Sequence, residues 1–213
     1  MRIITTLVAS TAAFAIAGAS ALAETKTYDI TGFDSIKATQ GVEVIVEVGS
    51  AYSITLETSG DVDKARVEQD GDTLILGRKS KGARFNLGRS ARYQYTVTMP
   101  SIEAASSSAG AELEVSGISG DDVRLSASSG SELEAEGSCG SLRVRASSGA
   151  AVEASDLACD NVVADVSSGA DIEVHASSSV DADASSGGSI VVHGNPGDRS
   201  TDKSSGGRVR FAK

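Results

Sequence analysis

A tripeptide that recurs at an almost constant interval constrains this chain more than any other feature. Ser-Ser-Gly stands at 128–130, 147–149, 167–169, 185–187 and 204–206, preceded by a variant, Ser107-Ser108-Ala109-Gly110. Glycines 110, 130, 149, 169, 187 and 206 are spaced by 20, 19, 20, 18 and 19 residues. A fixed period of this length marks a repeat architecture, in which each unit is stabilised by stacking on copies of itself.

Each glycine is followed by a short alternating segment, such as Glu112-Leu113-Glu114-Val115, Glu132-Leu133-Glu134-Ala135 or Asp171-Ile172-Glu173-Val174. A second alternating segment precedes the next serine pair, as in Leu142-Arg143-Val144-Arg145-Ala146 and Val180-Asp181-Ala182-Asp183-Ala184. Period-two alternation puts apolar residues on one face and charged residues on the other, so each unit reads as two strands and two turns. One unit cannot bury its apolar face alone; stacking units in parallel encloses a narrow core. The predicted fold is all-β, a parallel β-helix or β-solenoid with coils of about 19 residues. About six coils at ~4.8 Å spacing give a rod roughly 29 Å tall. Ala127, Ala146, Val166 and Ala184 before each corner suit a pinched interior, and the corner glycine supplies a positive φ or a close approach.

The period fails before residue 106. Strands are still predicted at Val42–Val48, Tyr52–Glu57, Thr73–Leu76 and Tyr93–Met99, with Asp70-Gly71-Asp72 as a hairpin turn. We expect these longer strands of residues 24–105 to cover one end of the regular coils, residues 106–213, within one domain, since an open solenoid edge invites pairing with another molecule. Residues 1–23 read as a signal peptide: Arg2, an apolar run through Ile16, and Ala21-Leu22-Ala23 before a cleavage site at Glu24. The expected location is periplasmic or secreted, with no membrane span in the mature form. With 19 basic and 29 acidic residues the net charge is −10, which removes the general attraction that nucleic acid requires. Aromatic residues make up 4% of the chain and Trp is absent, so Val, Ile, Leu and Ala must build the core.

Phe33-Asp34-Ser35-Ile36, Gly41 to Val46, Asp70 to Ile75, Tyr95-Thr96-Val97-Thr98-Met99-Pro100 and the successive Ser-Gly corners together resemble the putative auto-transporter adhesin family, head GIN domain, found in exported bacterial proteins. The resemblance runs from about Phe33 to Phe211 and implies surface adhesion; it brings no catalytic residues and no cofactor.

Several side chains could carry chemistry. Cys139 and Cys159 are 20 residues apart at equivalent places in adjacent coils, where Cα atoms lie within disulfide reach, and an oxidising compartment favours the bridge. Glu114, Glu134, Glu153 and Glu173 share one outward column, with Glu112, Glu132 and Asp171 two positions earlier. Calcium, an oxygen-seeking ion, could relieve their repulsion; the alternative is that they fan into solvent or meet arginines. His175 and His193 each follow their glycine by six residues and stack beside Glu173, a partial metal site for zinc or copper or simply exposed imidazoles. The serines read as turn formers that hydrogen-bond along the stack. Arg78, Lys79, Lys81, Arg84, Arg89 and Arg92 form a basic stretch with no acid between them, which could meet a polyanion, an acidic patch on the rod itself, or only solvent.

The expected function is therefore an exported, non-catalytic structural or interaction module, adhesin-like, presenting polar walls to an envelope protein or glycan. The alternatives are a carbohydrate-active β-helix enzyme acting on acidic polysaccharide and a periplasmic divalent-metal binder.

Overall fold

The computed structural model describes residues 24–79 and 91–212. The signal-peptide reading of residues 1–23 lies outside them. Fifteen strands follow in chain order: β1 (Glu24–Tyr28), β2 (Ser35–Thr39), β3 (Glu43–Val48), β4 (Ser53–Thr58), β5 (Ala65–Asp70), β6 (Thr73–Arg78), β7 (Tyr93–Met99), β8 (Ala104–Ser108), β9 (Glu112–Ser128), β10 (Glu132–Ser147), β11 (Ala151–Val166), β12 (Asp171–Ala184), β13 (Ser189–His193), β14 (Asp198–Lys203) and β15 (Arg208–Phe211). From β8 onward each pairs in parallel with its counterpart one coil away, giving a β-solenoid.

The expected pair of separate strands per unit is instead one strand of 14 to 17 residues in β9 to β12, bent in its middle. The bend is a register shift that leaves the ladder continuous, near Gly117 and Gly137. Gly137 has φ 134°, and a Cβ there would run into the Ile118 backbone of the neighbouring coil. Six corners, from Gly110 to Gly206, bound five complete turns rather than six.

The Ser-Ser-Gly corner turns the chain from one wall to the other. Its glycine has positive φ as expected, and so does the residue before it: Ser148 has φ 56° and Gly149 φ 68°, repeated at all six corners, with Ala109 in place of the serine at the first. The Ala150 N–H donates to the Ser147 carbonyl at 3.3 Å, closing the turn. Two consecutive left-handed residues closed in this way have the backbone of the tight hairpin turns. Along the stack, corners are joined chiefly by backbone, since Gly130 N–H donates to Ser148 O at 3.1 Å and Gly149 N–H to Ser168 O at 3.2 Å. Serine hydroxyls add bonds at some corners, Ser131 donating to the Ser107 carbonyl at 2.9 Å and Ser185 to the Val166 carbonyl at 3.4 Å.

The strands before residue 106 do close one end, and they do so by continuing the stack. We call the side after each corner wall one and the side before it wall two. On wall one the order is β1-β4-β7-β3-β9, and on wall two it is β5-β6-β2-β8-β9. The β2–β3 coil is thus sandwiched between β6–β7 and β8–β9, out of chain order, which is why the period fails there. Beyond β6 and β7 the pairing turns antiparallel, through β5, β4 and β1, and ends the parallel edge.

Inside, columns such as Leu113-Leu133-Val152-Ile172-Ile190 and Leu125-Val144-Ala164-Ala182 are fully buried. Apart from Phe211 on β15, the aromatic residues described sit at the N-terminal end, where the buried Tyr95 donates its hydroxyl to the Gly77 carbonyl at 2.7 Å and ties wall one to wall two.

Candidate functional site

Alternation leaves the outward side chains in columns, one residue per coil at the ~4.8 Å strand spacing. On wall one the register aligns Glu114, Glu134, Glu153 and Glu173, and beside them Glu43, Glu112 and Glu132. Their upper members line a shallow hollow of about 190 Å³. Glu134 stands between Glu114 and Glu153 in its column. Partial desolvation among its neighbours, then repulsion from Glu114, Glu153, Glu132 and Glu136, holds its carboxyl above the usual range. Both columns end in cations, Arg208 and Arg210 on β15.

Wall two carries a different pattern. Arg124, Arg143, Val163 and Asp181 form one column; Ser126, Arg145, Asp165, Asp183 and Asp202 form the next. Arg145 Nε donates to Asp165 Oδ2 at 3.1 Å, and Arg124 lies 3.5 Å from Glu103. The second column and the corner serines border a groove of about 720 Å³ running along the rod. Desolvation, then repulsion from Asp181, Asp202 and Asp165, raises the Asp183 carboxyl above its ordinary value. The Asp165-Asp183-Asp202 column went unread in the sequence, although the repeat spacing that aligned the glutamates aligns these aspartates equally well.

Cys139 and Cys159 face one another in register on β10 and β11 and form a disulfide, their Cα atoms 4.5 Å apart. His175 and His193 are register partners on β12 and β13. Glu173 Oε2 lies 3.5 Å from His193 Nε2, while the tip of the His175 ring lies over Gly194. Among the described residues no three His, Cys, Asp or Glu side chains are grouped so as to hold a metal ion.

Of the basic stretch, Lys81, Arg84 and Arg89 lie outside the described residues. Arg78 ends β6 opposite Ala65, and Lys79 Nζ donates to the Asp63 carbonyl at 3.4 Å. Arg92 donates to Glu43 Oε2 through Nε at 3.0 Å and Nη2 at 2.6 Å, so one cation of the stretch meets the acidic wall of the rod. Among the described residues no helix is long and apolar enough to cross a membrane.

The arrangement resembles several solved structures. A putative adhesin from Bacteroides fragilis aligns with TM-score 0.70 at 19% identity, covering 90% of this chain and 97% of that one. A putative adhesin from Parabacteroides distasonis aligns with TM-score 0.53 at 15% identity over 90% and 97% of the two chains. A structure named a putative lipid binding protein, from the same species, aligns with TM-score 0.50 at 16% identity over the same shares. At these identities the likeness is one of fold, and differently named proteins share it. No curated protein matches the sequence. Residues 32–196 match the family described as "Putative auto-transporter adhesin, head GIN domain", which takes in the out-of-order N-terminal coil and the regular turns alike, and the chain belongs to that family.

Proposed function

We propose that this protein is an exported, non-catalytic interaction module that binds an envelope protein or glycan through the walls of its solenoid. The observation that carries this reading is the in-register alternation itself. It displays charged and hydroxyl side chains as ladders at one fixed spacing over five turns, on a backbone made rigid by continuous parallel pairing. Such a surface suits an extended partner contacted at many equivalent points, each weak alone and summed by multivalency. Membership in an adhesin family supports binding without turnover, and the disulfide supports an oxidising compartment outside the cytoplasm.

The test uses residues 24–213 on glycan arrays and in pull-downs from native envelope, beside a variant with Ser147, Ser167 and Ser185 changed to Ala. The reading predicts enrichment of a defined partner that the variant loses. Equal recovery with both proteins, or new reducing ends released from acidic glycans, contradicts it.

A further inference from the structure

We propose that wall two is a self-complementary surface through which two copies of this chain pack face to face, their long axes antiparallel. Charge is segregated along two neighbouring columns of this wall, Glu103 and Asp122 lying outside them. Arg124, Arg143 and Arg145 occupy the two coils nearer the N-terminal end, and Asp165, Asp181 and Asp183 the next two.

A two-fold axis parallel to the strands, passing between β10 and β11, inverts the rod but keeps each column opposite itself. Arg124 then faces Asp181 of the second copy, and Arg145 faces its Asp165. Because Arg145 already bonds Asp165 at 3.1 Å within one copy, the axis is surrounded by four charges of alternating sign. Arg143 meets Val163, onto which its aliphatic stem can pack. No like charges oppose one another in these two columns. Sliding by one coil in either direction puts Arg143 and Arg145 against themselves, or Asp165 against itself. Packing the rods parallel sets arginine coil against arginine coil. One arrangement is therefore selected by charge, in the manner expected of an isologous interface.

The wall is also built for close approach. Its outward columns are otherwise short residues, Ser126, Ser147, Ser167 and Val163 among them. Six strands of about six residues cover roughly 20 by 24 Å, so a dimer buries on the order of 1,000 Å² in total, near the lower bound for a specific interface. A weak, reversible and salt-sensitive dimer follows. The proposal does not depend on the adhesin reading, because it concerns only copies of this chain.

Arg124 and Asp181 lie three strand spacings apart within one copy, about 14 Å, too far to pair. This makes a charge swap decisive. Sedimentation equilibrium on residues 24–213 should show dimer at low ionic strength, and raising salt from about 20 to about 500 mM should weaken it at least tenfold. Arg124→Asp should weaken it comparably, and Arg124→Asp combined with Asp181→Arg should restore it to within about threefold of the parent. Thermal melts of each variant check that the fold is retained. A parent that stays monomeric at low salt, a dimer that Arg124→Asp leaves unchanged, or a double variant no better than the single one overturns the proposal.

Discussion

The guanidinium of Arg199 lies 4.4 Å from the centroid of the Phe211 ring, across the C-terminal end of the stack. Arg199 occupies the inward column of Val123, Leu142, Val162 and Val180, and Lys203 that of Ala146 and Ala184. The last coil of wall two thus carries charges where every earlier coil carries core residues. Asn195 and Pro196 hold the guanidinium through bonds of 2.6 and 2.8 Å. Inward charges on an edge strand oppose further strand addition. Arg199→Val with Lys203→Ala should extend the apolar columns to the edge and cause end-to-end association, seen as concentration-dependent growth in light scattering. A variant as monodisperse as the parent contradicts this role.

The disulfide staples two consecutive turns. It closes a loop of 20 residues in the unfolded chain, for which loop-closure entropy gives about 3 kcal/mol of stabilisation. Denaturant unfolding with and without reductant should differ by about that amount, with the folded circular-dichroism spectrum unchanged. Alkylation without prior reduction should label neither cysteine. Two labelled cysteines contradict the bridge.

The acidic ladder sets a pH dependence opposite to ordinary acid unfolding. Glu134 and Asp183 have carboxyls raised in the folded state. Their contribution is therefore fully present below the unfolded values, near 4.5 and 3.8, and is lost as pH rises through the higher folded values. Unit charges 4.8 Å apart repel by roughly 0.9 kcal/mol in water, less for exposed side chains that fan apart. Glu134→Gln should raise the melting temperature at pH 7 by about 1 to 3 °C and leave it unchanged near pH 4. An equal shift at both pH values would mean that charge is not the cause.

How much of this was legible in the sequence follows from the register. Equal spacing aligned Cys139 with Cys159, stacked His175 on His193, and ordered Glu114, Glu134, Glu153 and Glu173, because a parallel stack maps sequence period directly onto column. In sequence the bend at Gly137 has the look of a turn between two strands, since a register shift that keeps the ladder leaves the same pattern as a break. The placement of β6 and β7 outside β2 and β3 is not readable, because pairing between segments 38 and 51 residues apart leaves no periodic trace. The plug at Arg199 was hidden for a related reason: only the assigned columns reveal that it faces inward.

Corner geometry makes a paired prediction. Ser148 bears a Cβ in the left-handed region, where Asn is better tolerated, and Asn-Gly is the favoured pair for such turns. Ser148→Asn should stabilise the protein by a few tenths to about 1 kcal/mol. Gly149→Ala, with open space around the new methyl but φ of 68°, should cost about 1 kcal/mol. Denaturation midpoints of the two variants moving in the same direction would contradict the assignment.

Every column in this account depends on successive corners lying one strand spacing apart. Spin labels placed at Ser129 and, in turn, at Ser168, Ser186 or Ser205 measure that directly by dipolar electron paramagnetic resonance, because these corners lie two, three and four coils away. Backbone separations should rise in equal steps of about 4.8 Å, from about 10 to about 19 Å. Distances that do not grow step by step with corner number would contradict the stack and the walls built upon it.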